Sequence, residues 1–549
     1  MTHERVEPPA SRPRGPTSTA GPSERTGGVS AIPRLRDSGA DDALARDDPA
    51  AVEGLRGVLD GAGYTHEAVG EALGVDSVER DPFEVSVHLR ALGEREDPLA
   101  TLIRLFRLGV PVSLDAAARA VAPVPVERLE AIGLLEVEGD EVAARLSLLP
   151  VPELIGPAGP ELIVPADWEQ EGQLPTHPGH VVGVSAGSRL LARLVPRRPV
   201  ERALDLGAAG GVQALLLARH ARRVTATDLN PRALRFARFG CRLNGAENVE
   251  LREGSMLEPV RGERFDIVAS NPPYVVSPDA EYVFRDSGLP GDALCEALVR
   301  EVPTQLTDGG LAVLMVSWVH AAGEEPAAPL RRWLADGGCD ALILHFDSSD
   351  ALSYAAAWYG RREAGEFARG LERWMAYYAE RGIERIGLGA LVLRRRDGPN
   401  WTWVHTPLAP ARQLGGEAVE PGRAGDHVLR LIAAQDLLAA GEEALLAATL
   451  VPAPDHLLEQ TARLHDGASQ VQSTRLRLEG GLGIQVSVEP AVAGLLARLD
   501  GARPLGEVIA DVARGLAPAG SSPGPVDEAL LAATRRLVEL GFAVPAGAG

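Results

Sequence analysis

Lysine is absent from this chain of 549 residues: all 55 basic side chains are arginine. That bias, with 60 Gly and 42 Pro, reflects genome composition rather than function. Cysteine is nearly missing too. Cys241, Cys295 and Cys339 are far apart and form no CxxC pair, so neither a disulfide framework nor a thiolate zinc site is implied, and no metal is expected. No apolar run reaches ~18 residues and the N-terminus has no apolar signal core, so no membrane contact is expected and a reducing cytoplasm is the default. Positive charge is short, giving a net charge of −21. This argues against broad electrostatic attraction to nucleic acid or to an anionic membrane, while leaving room for a local basic patch. Aromatic residues make up 4%, yet six of the seven tryptophans lie between Trp318 and Trp403.

What remains is a globular composition, 45% hydrophobic and 24% charged, in a chain too long for one core. Residues 1–40 are rich in Pro, Ser, Gly and Arg and read as a disordered tail. Residues 41–150 read as a helical, winged-helix-like domain: amphipathic helices over 48–92, then three helical segments and a hairpin around Gly139-Asp140. Asp97 caps the first of those three segments, Pro98 opens it and Gly109 ends it. Residues 151–198 read as a linker wrapping onto the next domain. Residues 199–410 alternate strands with helices, the strands expected at 202–206, 223–227, 265–270, 311–317, 341–346 and 389–394. Residues 411–549 are mostly helical, with a hairpin over 474–488 turning on Gly480-Gly481. They close on a helix stopped by Gly541 and a strand, a second winged-helix-like ending.

Two stretches carry chemistry. In 201–245 a strand leads to Asp205, a turn follows with Gly207, Gly210 and Gly211, and a helix runs from about Val212. A second strand ends on Asp228, 23 residues after Asp205, a spacing suited to gripping ribose hydroxyls. Such a turn serves a dinucleotide, a nucleotide or S-adenosylmethionine. The absence of G-x-G-x-x-G and of G-K-[ST] disfavours phosphate cradling. The second stretch, "IVASNPPY" (267–274), ends a strand on two prolines that cannot continue it. They fix an amide side chain and an aromatic ring at the strand end.

Together these residues resemble the class I S-adenosylmethionine-dependent methyltransferases that carry [DNS]-P-P-[YFW]. That group includes N6-adenine and N4-cytosine enzymes, small-domain guanine-N2 enzymes and HemK-like glutamine-N5 enzymes. The resemblance covers about 199–319 and implies a Rossmann-like α/β core with S-adenosylmethionine as cofactor. It places Asp205, Gly207 and Gly211 at the methionine part, Asp228 at the ribose, Leu229 beside the adenine, and Ser255 and Met256 at its amino group. Asn271, Pro272 and Tyr274 fall at the catalytic motif, Asn271 also facing the cofactor. Departures are Ala208 and Ala209 in the turn, Ser255 for an acid, and Gly240 for a common asparagine. The five-helix substrate-docking domain of HemK-like enzymes is not recognisable.

The reading is an N-methyltransferase acting on a planar amino or amide nitrogen, with a nucleobase in RNA ranked just ahead of a protein glutamine. A non-catalytic cofactor-sensing regulator and a pathway enzyme acting on a small metabolite stand behind these. Arg235, Arg238 and Arg242 share a helical face that could meet RNA phosphates, although a solvated face is the preferred account. The Trp- and Tyr-rich helix at 363–382 reads as packing against the core ahead of a substrate lid.

Overall fold

The structure, a computed structural model, describes residues 43–74, 85–152, 161–168, 177–335, 337–360, 363–406, 423–465, 468–479, 481–516 and 524–547. The tail expected at 1–40 lies outside the described residues. The centre of the fold is an eight-stranded sheet of β1 (Val200–Leu206), β2 (Ala221–Asp228), β3 (Val249–Glu253), β4 (Phe265–Ser270), β5 (Leu306–His320), β6 (Cys339–Asp350), β7 (Arg385–Arg395) and β8 (Thr402–His405). In space the order is β8-β6-β7-β5-β4-β1-β2-β3. Strand β7 runs antiparallel to both β5 and β6, and the other pairings are parallel. The order reverses between β1 and β4, which makes their C-terminal ends the crevice where open α/β sheets bind ligands. This is the Rossmann-like class I methyltransferase arrangement.

Both faces of the sheet are covered, so its central strands are continuous apolar runs rather than alternating ones. In β5, Leu311, Val313 and Met315 enter one core while Ala312, Leu314 and Val316 enter the other. The six expected strands are present, most of them longer than the apolar runs. Two more escaped the sequence reading: β3, a half-exposed Val-Glu-Leu-Arg-Glu edge, and the four-residue β8.

Helices α1 (Ala186–Leu194), α2 (Val212–Ala218), α3 (Pro231–Leu243) and α4 (Ala293–Glu301) pack on the sheet. Helix α1 falls in the stretch taken for a linker; Ser185 caps it by accepting from the Ser188 N–H. Between β6 and β7 come α5 (Ala351–Tyr359) and α6 (Ala364–Arg381), the latter closed by Gly382 in the left-handed region. Trp374 and Tyr378 of α6 are fully buried with Tyr354, Tyr359, Val275 and Val276, so α6 packs as the sequence led one to expect.

On the N-terminal side, helices Pro49–Ala62, His66–Leu73 and Val85–Leu92 precede Pro98–Leu102, which runs into a π-helical turn, Ile103–Arg107. Asp48 and Asp97 cap two of them through their carboxylates. After helices Leu114–Val121 and Val126–Ala131, strands Leu135–Glu138 and Glu141–Ala144 turn at Gly139-Asp140 and join Val112–Ser113 in a three-stranded sheet. The core of this module is continuous with Phe236, Phe239 and Leu243 of α3. The supposed linker contains a hairpin, Ser147–Val151 against Leu162–Ala166. Beyond it, Asp167 forms a buried bidentate pair with Arg232 of α3, one arm being Nη2 to Oδ1 at 2.7 Å.

On the C-terminal side, helix Arg423–Ala439 packs against α1, and helix Gly524–Glu539 leads through Gly541 to strand Ala543–Pro545. That strand pairs with Leu450–Pro452. Strand Ala468–Leu478 pairs with Gln485–Ser487 as the hairpin at 474–488 required; Gly480 lies outside the described residues. Its other edge pairs with His456–His465, a strand not anticipated.

The Asp167–Arg232 pair gives a direct test of how the N-terminal side is fastened to the core. Asp167→Ala leaves a buried guanidinium unpaired and is expected to cost about 3–5 kcal/mol in urea unfolding. The double change Asp167→Leu with Arg232→Met is expected to recover most of that loss.

Candidate functional site

The residues assigned to the cofactor and to the catalytic motif lie at or just beyond the C-terminal ends of the four adjacent strands β4, β1, β2 and β3. Asp205, one residue from the end of β1, is 1% exposed and accepts the Ala214 N–H on Oδ2 at 2.8 Å. Burial, with a smaller push from the charge of Asp228, raises its pKa to about 7. The turn that follows is tied to β2, because the N–H groups of Gly207 and Ala208 both donate to the Thr227 carbonyl at 2.9 Å. Gly207 has φ +81° and open space where a side chain would stand, so the turn can meet a ligand backbone-first. Ala209, in place of the family's middle glycine, keeps a left-handed φ of 46°. Its N–H donates to Asp228 Oδ2 at 2.9 Å, which helps hold a conformation costing on the order of 1 kcal/mol. Gly211 caps α2.

Asp228 ends β2. Its second oxygen accepts the Asn230 N–H at 2.8 Å, and burial raises its pKa. The main-chain oxygen of Asp228 accepts from Gly254 at 3.1 Å, which sets Ser255 and Met256 beside it. Ser255 is exposed, Met256 has φ 45°, and Leu229 projects into solvent at 56% exposure. The absence of the asparagine at Gly240 has a steric cause: a Cβ there would lie 3.1 Å from the Pro165 ring.

Strand β4 ends on Ser270, whose hydroxyl donates to the Leu206 carbonyl at 2.8 Å and so locks its end to that of β1. Asn271 follows immediately, and its side-chain oxygen is buried with no hydrogen-bond partner. Pro272 is buried, and the Tyr274 carbonyl accepts from the Ser317 hydroxyl. The Tyr274 ring meets Trp358 of α5 edge to face, with centroids 6.4 Å apart and planes at 89°. Burial pushes the Tyr274 hydroxyl up to about 12, so it is a neutral donor across the ordinary pH range.

The inserted helices hold the chain that continues from this motif. Val276 donates its N–H to Tyr354 Oη at 3.2 Å, and its carbonyl accepts from Tyr378 Oη at 2.7 Å. Asp279 accepts from Trp374 Nε1 at 2.9 Å and from Arg373 at 2.5 Å. Tyr377 Oη accepts the Gly291 N–H at 2.7 Å.

One residue of the site escaped the sequence reading. Gly187, in the first turn of α1, approaches so closely that a Cβ on it would lie 3.2 Å from Asn271 Oδ1 and 3.3 Å from Tyr274 Oη. The signal was present in "SAGS", a capping serine followed by a glycine where a helix prefers none.

Of Arg235, Arg238 and Arg242 on α3, Arg242 pairs with Asp47 and Arg238 is exposed to solvent. Arg232 of the same helix pairs with Asp167, and the N-terminal module covers the helix through Phe236 and Phe239. The preferred account, a solvated face, holds for Arg238 and gives way to an ion pair at Arg242. Among the described residues, no group of three or more His, Cys, Asp or Glu is placed to hold a metal, and no helix is long and apolar enough to cross a membrane.

Comparison with known proteins agrees with the geometry. Residues 180–321 match a family model described as methyltransferase small domain, and residues 61–145 match a domain of unknown function, DUF7059. The release factor glutamine methyltransferase of Xylella fastidiosa is 35% identical over 133 residues, 22% of this chain and 48% of that protein. A putative protein N5-glutamine methyltransferase of Methanocaldococcus jannaschii is 27% identical over 121 residues, 21% of this chain and 60% of that one. The chain thus spans about half to three fifths of the length of these relatives. A putative methyltransferase of Bacillus halodurans superposes with a TM-score of 0.25 at 18% identity, over 38% of this chain and 98% of that one. The methyltransferase part of the resemblance read from the sequence is borne out: the core is an S-adenosylmethionine-dependent methyltransferase domain, similar over this stretch to glutamine methyltransferases.

The buried Asp205 makes stability depend on pH in a defined direction. Its folded pKa of about 7 lies above the ordinary carboxylate value of 3.8, so the folded chain holds a proton that the unfolded chain has released. Its contribution is complete below about pH 4 and is lost as pH rises through 7. Melting curves between pH 4 and 8 are expected to show a decline over that window that Asp205→Asn flattens.

Proposed function

We propose that this chain transfers a methyl group from S-adenosylmethionine to the side-chain amide nitrogen of glutamine in a protein substrate, in the cytoplasm. The observation that carries the reading is the buried, unpartnered oxygen of Asn271. A buried acceptor without a donor costs about 1–3 kcal/mol, a cost understandable where a substrate N–H completes the bond. The sequence alone ranked a nucleobase first. The relatives are named for release factor and protein glutamine, and Arg242 of the arginine face is already paired with Asp47, so the order is reversed.

The residues fit the cofactor. Asp205, Gly207 and Gly211 would take its methionine part, Asp228 its ribose, and Leu229, Ser255 and Met256 its adenine. When bound, S-adenosylmethionine supplies an electrophilic methyl group on sulfur.

The protein supplies position. A carboxamide nitrogen shares its lone pair with the carbonyl and is a poor nucleophile. Asn271 Oδ1 accepts one of its hydrogens and the Pro272 carbonyl the other, which draws the nitrogen toward tetrahedral geometry and holds it in line. The Tyr274 ring lies against the flat group. The two prolines and the Ser270 bond to β1 set these acceptors before substrate arrives, the preorganisation that carries most of such catalysis. No general base is required, because the proton leaves once nitrogen has become cationic. In the same reading the part of the N-terminal module from Pro98 to Ala144, with three helical segments and a three-stranded sheet, is a winged-helix-like element used for protein docking and not for nucleic acid.

Tritium transfer from labelled cofactor to separated protein and RNA fractions tests the assignment. Label in protein at glutamine is expected; label confined to RNA would overturn it. Asn271→Ala is expected to lower kcat about 10²–10³-fold with cofactor affinity changed only a few-fold. Asp228→Ala is expected to weaken cofactor binding by about 30-fold or more in calorimetric titration, since a charged acceptor is lost.

A further inference from the structure

Resting on the methyltransferase reading, we infer that Gly187 determines specificity: its missing side chain leaves the room through which the reacting nitrogen approaches Asn271 Oδ1. Three observations converge on that point. First, Asn271 Oδ1 is buried and has no partner, so a donor has to come from outside the chain. Second, a Cβ on Gly187 would stand 3.2 Å from that oxygen, 3.3 Å from Tyr274 Oη and 3.4 Å from Asn271 Nδ2. A nitrogen donating to Asn271 sits about 2.9 Å from its oxygen, so a methyl group built 3.2 Å from the same oxygen would crowd its approach. Third, the space has fixed walls. Helix α1 is tied to α2, because Gln213 Nε2 donates to the Ser188 carbonyl at 2.7 Å. Trp358 backs the Tyr274 ring edge to face, and Ser317 anchors the Tyr274 main chain. Both sides are braced, so a methyl group at position 187 would compete with a substrate nitrogen for the same approach.

A glycine in the first turn of a helix carries a propensity penalty against alanine. Its φ is not in the left-handed region, so backbone geometry does not demand glycine there. The requirement is for volume. The space accepts one small planar donor group, and a primary carboxamide at the end of a flexible side chain enters it more readily than an amino group fixed to a ring.

Gly187→Ala tests the inference, with Ser188→Ala as a control that removes the neighbouring hydroxyl without filling the space. Each is assayed by melting temperature, by calorimetric titration with S-adenosylmethionine, and by tritium transfer from labelled cofactor to the protein fraction labelled by the wild type. For Gly187→Ala, the expected result is an unchanged or higher melting temperature, cofactor affinity within about threefold, and methyl transfer reduced 100-fold or more. Ser188→Ala is expected to transfer at the wild-type rate. Transfer by Gly187→Ala at the wild-type rate would overturn the role of the glycine and leave the proposed function standing. Wild-type protein that labels no acceptor in any fraction would overturn both.

Discussion

A hydrogen-bond acceptor is buried at the end of a strand with nothing to bond, and much of the surrounding architecture keeps it there. Water would satisfy Asn271 Oδ1 at once if the strand end could fray or the loop could lift. Fraying is opposed by the Ser270 hydroxyl, which fastens β4 to β1 through the Leu206 carbonyl. The two prolines remove the hydrogen-bond donors and the torsional freedom through which the chain could rearrange. Lifting is opposed by tyrosine hydroxyls on α5 and α6, which grip both polar groups of Val276 two residues beyond the motif. An unsatisfied polar group is tolerable only where the fold around it is overdetermined, and at this strand end it is.

The same constraint explains the unequal use of the three added parts of the chain. The N-terminal module merges its core with α3, and the C-terminal helices pack against α1 and the sheet face that carries Leu311 and Val313. Among the described residues, no hydrogen bond or ring contact joins either module to Asn271, Pro272 or Tyr274. The insertion between β6 and β7 makes one: Trp358 meets Tyr274, and Tyr354, Trp374, Tyr377 and Tyr378 hold the loop from Val275 to Gly291. Its concentration of aromatic residues is therefore packing, as expected, that also fixes the loop after the motif. The buried rings are the weight that presses the loop into shape, and their polar tips fix where it lies.

Some of this was legible in the sequence and some was not. Strands β1, β4, β5, β6 and β7 were plain because a strand buried on both faces must be continuously apolar. Edge strand β3 was invisible because its exposure lets it carry Glu250, Arg252 and Glu253, and charge erases the pattern on which the reading depends. The cofactor turn could be recognised because its glycines and acids are needed by type. Gly187 could not be, because its importance comes from Asn271, 84 positions away in sequence, and proximity of that kind is written only in the fold. Two arginines of α3 were unreadable for the matching reason. Arg242 and Arg232 look unopposed along the helix but find their partners in Asp47 and Asp167, on segments far from it in sequence.

These failures share a direction. Local pattern identifies groups that must be of one chemical type, whereas what a group does depends on the space and charge that distant segments bring to it. Alanine at 209 makes the point. By pattern it is a defect in a glycine turn. In the fold its N–H reaches Asp228 and its backbone stays left-handed, so the connection between the first two strands keeps its shape. The aspartate thereby does two things at once: one carboxylate oxygen shapes the turn and the other closes onto Asn230. Loss of that carboxylate would loosen the turn as well as remove a ligand contact. The turn and the acid of this site are thus one hydrogen-bonded unit, although 23 residues separate Asp205 from Asp228 in the chain.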